Sequence, residues 1–205
     1  MGRTMNFFKK HTDKILVVFC LLIFCLIAVL ILLEKINTFD NLVYKYVTYY
    51  MNDSITTFFK VITFFGSVWC ILIISLILFI IKNKYKLYFV INPICSDVLN
   101  RILKLIFVRP RPNILRLITE RGYSFPSGHG MMSIICYGFI IYLIWQNDYK
   151  LKWKLLLIIP LILLILLVGI SRIYLGVHYA SDILAAFMIG IIYLIVLKKL
   201  QSSRL

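Results

Sequence analysis

The chain has 205 residues, of which 62% are hydrophobic and only 15% charged, with a mean hydropathy of +0.95. A soluble domain is about 45–50% apolar and about 25% charged, so this composition excludes an ordinary water-soluble globule. The net charge of +15 points to membrane topology and attraction to anionic lipid, since the sequence offers no soluble basic domain to hold nucleic acid as a partner.

Six apolar stretches can be drawn in chain order: about Ile15–Leu33, Phe58–Ile81, Leu87–Val108, Gly128–Trp145, Trp153–Ile170 and Ala180–Leu197. Ile15–Leu33 and Val61–Ile81 carry no charge, and each is long enough to cross a hydrocarbon core about 30 Å thick. The first has a basic front (Lys9, Lys10, Lys14) but exceeds the roughly 7–15 residues of a signal-peptide core and lacks a small-residue cleavage site. It is expected to be a retained span. The third is interrupted by Asp97, Asn100, Arg101 and Lys104, while Trp153 and Tyr174 flank the fifth as interfacial residues. Without repeats, low-complexity stretches or long linkers, the sequence predicts one domain over 1–205. Its fold class is all-α, an integral membrane bundle of six transmembrane helices. The five cysteines all fall inside spans and read as small hydrophobes rather than a disulfide framework.

Orientation follows from the lysines and arginines. Arg3, Lys9, Lys10 and Lys14, then Lys82, Lys84 and Lys86, then Lys150, Lys152 and Lys154, then Lys198, Lys199 and Arg204 all fall on one side if the span count is even. The other side holds Lys35, Lys45 and Lys60, plus Arg101, Lys104, Arg109, Arg111, Arg116, Arg121 and Arg172. Setting those last seven aside as ligand-binding makes both termini cytoplasmic and the cluster extracytoplasmic. The segment 34–59 between the first two spans reads either as an interfacial helix guarding a lipid entrance or as an amphipathic connector on the headgroups.

Three segments on the outer side gather the polar residues. In the first, 104–112, Lys104 and Arg111 lie seven residues apart and share a face if the helix extends that far, whereas Arg109 points elsewhere. Two such cations clamp a phosphate, the guanidinium as a fork and the ammonium as a point charge; the plain alternative is a pair of snorkelling side chains. In the second, 124–129, Pro126, Ser127 and Gly128 before an apolar run mark a helix start, where free N–H groups and the dipole favour an anion. Gly128 permits close backbone approach, and His129 stands at the helix mouth. In the third, 171–182, Asp182 follows His178 by four residues. This spacing suits a carboxylate that holds one ring nitrogen as N–H and leaves the other as a nucleophile.

Lys104-x6-Arg111-Pro112, then Pro126-Ser127-Gly128-His129, then Ser171-Arg172-x5-His178-x3-Asp182 resembles the three-part signature of the type 2 phosphatidic acid phosphatase superfamily, with every position filled. The doubled Arg-Pro is the one ambiguity, and the family spacing selects Arg111 over Arg109. The resemblance implies a membrane lipid phosphatase, whose active site the charge bias then puts at the extracytoplasmic interface. In it His178 attacks phosphorus and forms a phosphohistidine, Asp182 orients His178, and His129 protonates the leaving oxygen. Lys104, Arg111, Ser127, Gly128 and Arg172 bind the phosphoryl oxygens. No metal and no cofactor is implied. Arg116 and Arg121 read equally as contacts to a second phosphate and as solvated loop charges, and Asp97 and Asn100 as braces for Lys104 or Arg101. Undecaprenyl pyrophosphate is the expected substrate, with phosphatidylglycerophosphate and phosphatidate as alternatives. A lipid phosphotransferase would share the phosphohistidine. A non-enzymatic anion channel would need the cations but not His178 and Asp182 at helical spacing. The sequence does not bear on oligomeric state.

Overall fold

The computed structural model describes residues 2–80 and 85–202, with side chains over 11–80 and 85–201. Lys82, Lys84 and Arg204 lie outside the described residues, as do the side chains of Arg3, Lys9 and Lys10. The described residues fold into eight helices: α1 (Gly2–Leu32), α2 (Asn37–Val47), α3 (Asp53–Phe64), α4 (Val68–Ile80), α5 (Lys86–Phe107), α6 (Gly128–Gln146), α7 (Leu151–Tyr174) and α8 (Ala180–Ser202). Among the described residues there is no strand. The fold is all-α, as expected.

Among the described residues four helices are long and apolar enough to cross a membrane: His11–Leu32 of α1, then α6, α7 and Ala180–Gln201 of α8. The expected second span is not one rod. It breaks at Phe65–Ser67, where α3 and α4 meet at 47°. Tyr137 donates its hydroxyl to the Phe65 carbonyl over 2.7 Å, satisfying a backbone acceptor that the break exposes. The expected third span, α5, has the length but carries Lys86, Asp97, Arg101 and Lys104. Where six spans are expected, the third of them interrupted by polar residues, the described residues form four apolar helices, one broken helix and one polar helix.

α6 and α8 form the centre of the bundle, with α1 against α8, α7 against α6, and α5 between α4 and α6. Close packing at the centre depends on Gly190, where a Cβ would collide with Ile134 of α6. Small residues that let backbones approach are the usual means of joining helices in lipid, where burial of apolar surface gives no net gain. The outward faces of α1, α4 and α7 expose Leu22, Leu26, Ile73, Leu76, Leu156 and Leu163, as lipid contact requires. All five cysteines are free.

The fold has two distinct ends. Asp13 near the start of α1 pairs with Lys198 near the end of α8 at 2.7 Å, so both terminal regions share one end. At the other end the C-termini of α5 and α7 meet the N-termini of α6 and α8, covered by α2, α3 and the 108–127 loop. Helix α7 runs to Tyr174, four residues past the expected boundary, so Ser171 and Arg172 belong to its last turn rather than to a loop. Tyr174 is not interfacial. It is fully buried, with its ring 4.6 Å from that of Phe59 and its hydroxyl 3.0 Å from Thr56.

Candidate active site

The first segment reaches the site by a route its spacing does not suggest. Helix α5 ends at Phe107, because Val108 takes a left-handed backbone (φ 46°) and donates its N–H to the Lys104 carbonyl. Lys104 and Arg111 therefore do not share a helical face; the chain leaves the helix and folds back. They still come close enough for their charges to interact. Arg111 is buried and joins the loop to the site. Its Nε donates to the Gly122 carbonyl (3.1 Å) and its Nη2 to the Arg121 carbonyl (3.0 Å). Its Nη1 donates to the Val177 carbonyl (2.9 Å) and lies 3.2 Å from Nε2 of His178.

The second segment starts α6 as expected. Ser127 is the N-cap, and its hydroxyl accepts from the Gly130 N–H at 3.3 Å, an interaction of the usual capping kind. Its own N–H donates to the Asp182 carbonyl at 3.1 Å, tying the start of α6 to the start of α8. Asn100 donates to the Pro126 carbonyl at 3.0 Å, so it braces the turn rather than Lys104. A Cβ at Gly128 would lie 3.1 Å from the Asn100 side chain, so glycine there also admits α5. The His129 ring makes no hydrogen bond among the described residues, and the Lys104 ammonium has no hydrogen-bond or ion-pair partner among them.

In the third segment, Gly176 adopts φ +73° and a Cβ on it would collide with the Leu115 carbonyl, so this turn requires glycine. The turn delivers His178, which is 2% exposed. Its Nδ1 lies 3.3 Å from Oδ2 of Asp182, in the first turn of α8. Burial pushes the His178 imidazole down to about 4, against the opposing pull of Asp182, so it is neutral at pH 7. Arg172 is 1% exposed. Its Nη1 donates to Thr63 Oγ1 at 2.7 Å, its Nη2 pairs with Glu120, and its Nε is buried without a partner.

Several residues here carry no sequence signal strong enough to single them out. Glu120 pairs with Arg172 and lies 3.7 Å from Arg111. Burial raises its carboxyl, but the two arginines outweigh burial and hold it below the usual carboxylate range. Thr63 comes from the last turn of α3, beside the break. Ser124 donates to Oδ2 of Asp182. Arg109 lies behind the His178–Asp182 pair, bonded to Asp182 and to Asp40 of α2. A lone carboxylate in an arginine-rich loop is the available hint for Glu120, and a lone acid in an aromatic segment for Asp40. Arg116 bonds the Pro112 carbonyl through Nε and Nη2 at 3.0 and 2.7 Å, closing its own turn. Asp97 pairs with Arg101 at 2.7 Å on an exposed face.

The arrangement thus sets a neutral imidazole beside a buried carboxylate and an arginine, with a free lysine, a second histidine and an unpaired guanidinium nitrogen nearby. The PAP2 superfamily pattern matches residues 85–204, more than half of the chain. The chain belongs to the PAP2 superfamily. This PAP2 chain is 38% identical over 101 residues to phosphatidylglycerophosphatase B of Bacillus subtilis strain 168, covering 49% of this chain and 50% of that one. It is 31% identical over 118 residues to undecaprenyl-diphosphatase BcrC of the same organism, covering 54% and 55%. These matches span about half the length of each curated relative. Among solved structures, it resembles the transmembrane PAP2-type phosphatidylglycerolphosphate phosphatase of Bacillus subtilis with a TM-score of 0.78 at 28% identity, covering 90% of this chain and 96% of that one. Aquifex aeolicus LpxE gives 0.66 at 26% identity, covering 78% and 95%. The apolar helices and these PAP2 relatives make the chain a multi-pass membrane protein.

Proposed function

We propose that this PAP2 protein hydrolyses a lipid phosphate or pyrophosphate through a phosphohistidine on His178. The observation that carries the reading is the His178 ring itself. Nη1 of Arg111 can only donate, so the facing Nε2 carries a lone pair and Nδ1 carries the proton toward Asp182. That tautomer is the nucleophilic one. Nε2 attacks phosphorus, the bond from phosphorus to the lipid oxygen breaks, and His129 gives that oxygen a proton. Water then attacks the phosphohistidine; the P–N bond breaks and His129 takes the water proton. Lys104, Arg111, the partnerless Nε of Arg172 and the backbone around Ser127 and Gly128 meet the charge on the phosphoryl oxygens.

Both named relatives support a lipid substrate, and they divide over which. The likeness along nearly the full chain to a phosphatidylglycerolphosphate phosphatase favours a glycerophospholipid monoester, whereas the second curated relative favours undecaprenyl pyrophosphate. The site is read as extracytoplasmic, because Lys150, Lys152, Lys154, Lys198 and Lys199 belong to the opposite end.

The test is release of inorganic phosphate by detergent-solubilised protein, in EDTA, from a panel of lipid phosphates and pyrophosphates with and without an added lipid acceptor. Hydrolysis that persists in EDTA and disappears in His178→Ala is expected. Equal release by His178→Ala would remove the nucleophile assignment, and transfer to the acceptor without free phosphate would make the protein a phosphotransferase. Labelling of cysteines placed at either end in intact cells checks the side.

A further inference from the structure

The helix between the first two spans is tied directly to the nucleophile's support. Asp40 of α2 is 2% exposed although its helix presents Leu42 and Tyr46 outward. Its Oδ1 accepts the Ser181 N–H at 2.9 Å. Its Oδ2 accepts the Ser181 hydroxyl and Nη2 of Arg109, each at 2.8 Å. Nη1 of Arg109 donates to Oδ1 of Asp182 at 2.7 Å and to the Ser181 hydroxyl at 2.8 Å. The guanidinium lies over the Tyr179 ring, 3.9 Å from its centre. The remaining oxygen of Asp182 accepts from Ser124, from the Tyr179 N–H at 2.9 Å and from Nδ1 of His178.

Two buried carboxylates therefore share one buried arginine. Joining α2 to α8 would need only one of them, and neutral donors would do it without desolvating charge. The surplus negative charge faces the His178 side, where the ring becomes positive once its second nitrogen is bonded to phosphorus. We propose that Asp40 and Arg109 are positioning residues for phosphoryl transfer: together they hold Asp182 fixed and ionised, so that His178 keeps its proton on Nδ1 and presents Nε2. The inference rests on the nucleophile role given to His178 above.

The two residues oppose each other in charge, which gives the proposal a readout that a mere staple lacks. His178 is faced by Asp182 from α8, Arg172 from α7, His129 from α6, and Arg111 and Glu120 from the loop; none of these changes in the variants. Full-length Asp40→Asn and Arg109→Gln are assayed on short-chain phosphatidate in detergent micelles, following kcat, KM and the acid-side limb of kcat/KM. Each variant is expected to lose more than about tenfold in kcat with KM little changed. The limb moves to lower pH in Asp40→Asn, which removes a negative charge, and to higher pH in Arg109→Gln, which removes a positive one. Asp40→Glu restores much of the rate and the parent limb. The limb position does not depend on what fraction of a preparation is folded, and Arg109→Lys and Asp40→Glu carry the same readout if a rate is too low to follow. Full activity in Asp40→Asn, or a fall in rate with the limb unmoved in both variants, overturns the proposal. A fully active His178→Ala would instead overturn the reading beneath it.

Discussion

Nε2 of His178 lies 3.2 Å from Nη1 of Arg111, while Nδ1 of the same ring lies 3.3 Å from Asp182. A donor on one side and an acceptor on the other fix the tautomer. In the proposed reaction the same contact occupies the attacking lone pair, so Arg111 would have to turn its fork from nitrogen to phosphate oxygen as substrate enters.

His178 should titrate far to the acid side. With its imidazole at about 4 against about 6.5 for a free histidine, the acid limb of kcat/KM is expected well below pH 6. The substrate's own second ionisation, near pH 6, has to be removed from the profile. The same shift contributes to stability. The unfolded chain binds the proton first, so this contribution is complete above about pH 6.5 and is lost as pH falls toward 4. An acid limb that stays at about 6.5 would sink the assignment.

Asp182→Asn should cost far more rate than stability. The amide can no longer hold Nδ1 as the protonated nitrogen, and in hydrolase triads the equivalent change costs about 10⁴-fold in kcat. Quantifying phosphohistidine by acid-labile labelling separates this from misfolding: the folded variant should fail to accumulate label. Normal labelling would show that Asp182 orients nothing.

Arg172→Lys should also fail, although the charge is kept. Arg172 divides its nitrogens between Thr63, Glu120 and an unpartnered position, a fork that an ammonium cannot reproduce. A loss of about 10²-fold or more in kcat is expected, as for other donors that meet transition-state charge. A variant within a few-fold of the parent would show that the geometry of the fork is dispensable.

Gly176→Ala tests the turn that carries His178. Its positive φ and the obstruction by the Leu115 carbonyl should together cost about 1–3 kcal/mol, read as a lower thermal midpoint in detergent. The neighbouring change Val177→Ala, in the same buried cluster, should lower the midpoint without the backbone strain and so by less. Equal effects would mean the turn is not constrained.

What is legible in the sequence lies within single segments. Pro126, Ser127 and Gly128 announce a helix start locally, and His178 and Asp182 lie four residues apart, so spacing alone suggests their relation although His178 sits in the turn before α8. Asp40, Glu120 and Thr63 are not legible, because each acquires its meaning from a partner 52 to 141 residues away. Arg109 escapes a reading that carries the helix past Phe107; a left-handed Val108 reverses the argument. The break in the second span has a local signal, Gly66-Ser67 inside an apolar run, which hydropathy overrides. The polar character of α5 is visible as Asp97, Asn100, Arg101 and Lys104, but their apolar neighbours make the stretch read as a span.

In the proposed reaction Glu120, lying between Arg111 and Arg172, also bears on the release of product. A site built to grip a phosphate dianion risks being clogged by it. Here the departing ion does not leave two guanidinium groups bare, since a tethered carboxylate is already paired with one and within 3.7 Å of the other. The loop thus carries its own replacement anion, and the energy needed to empty the site between turnovers falls accordingly.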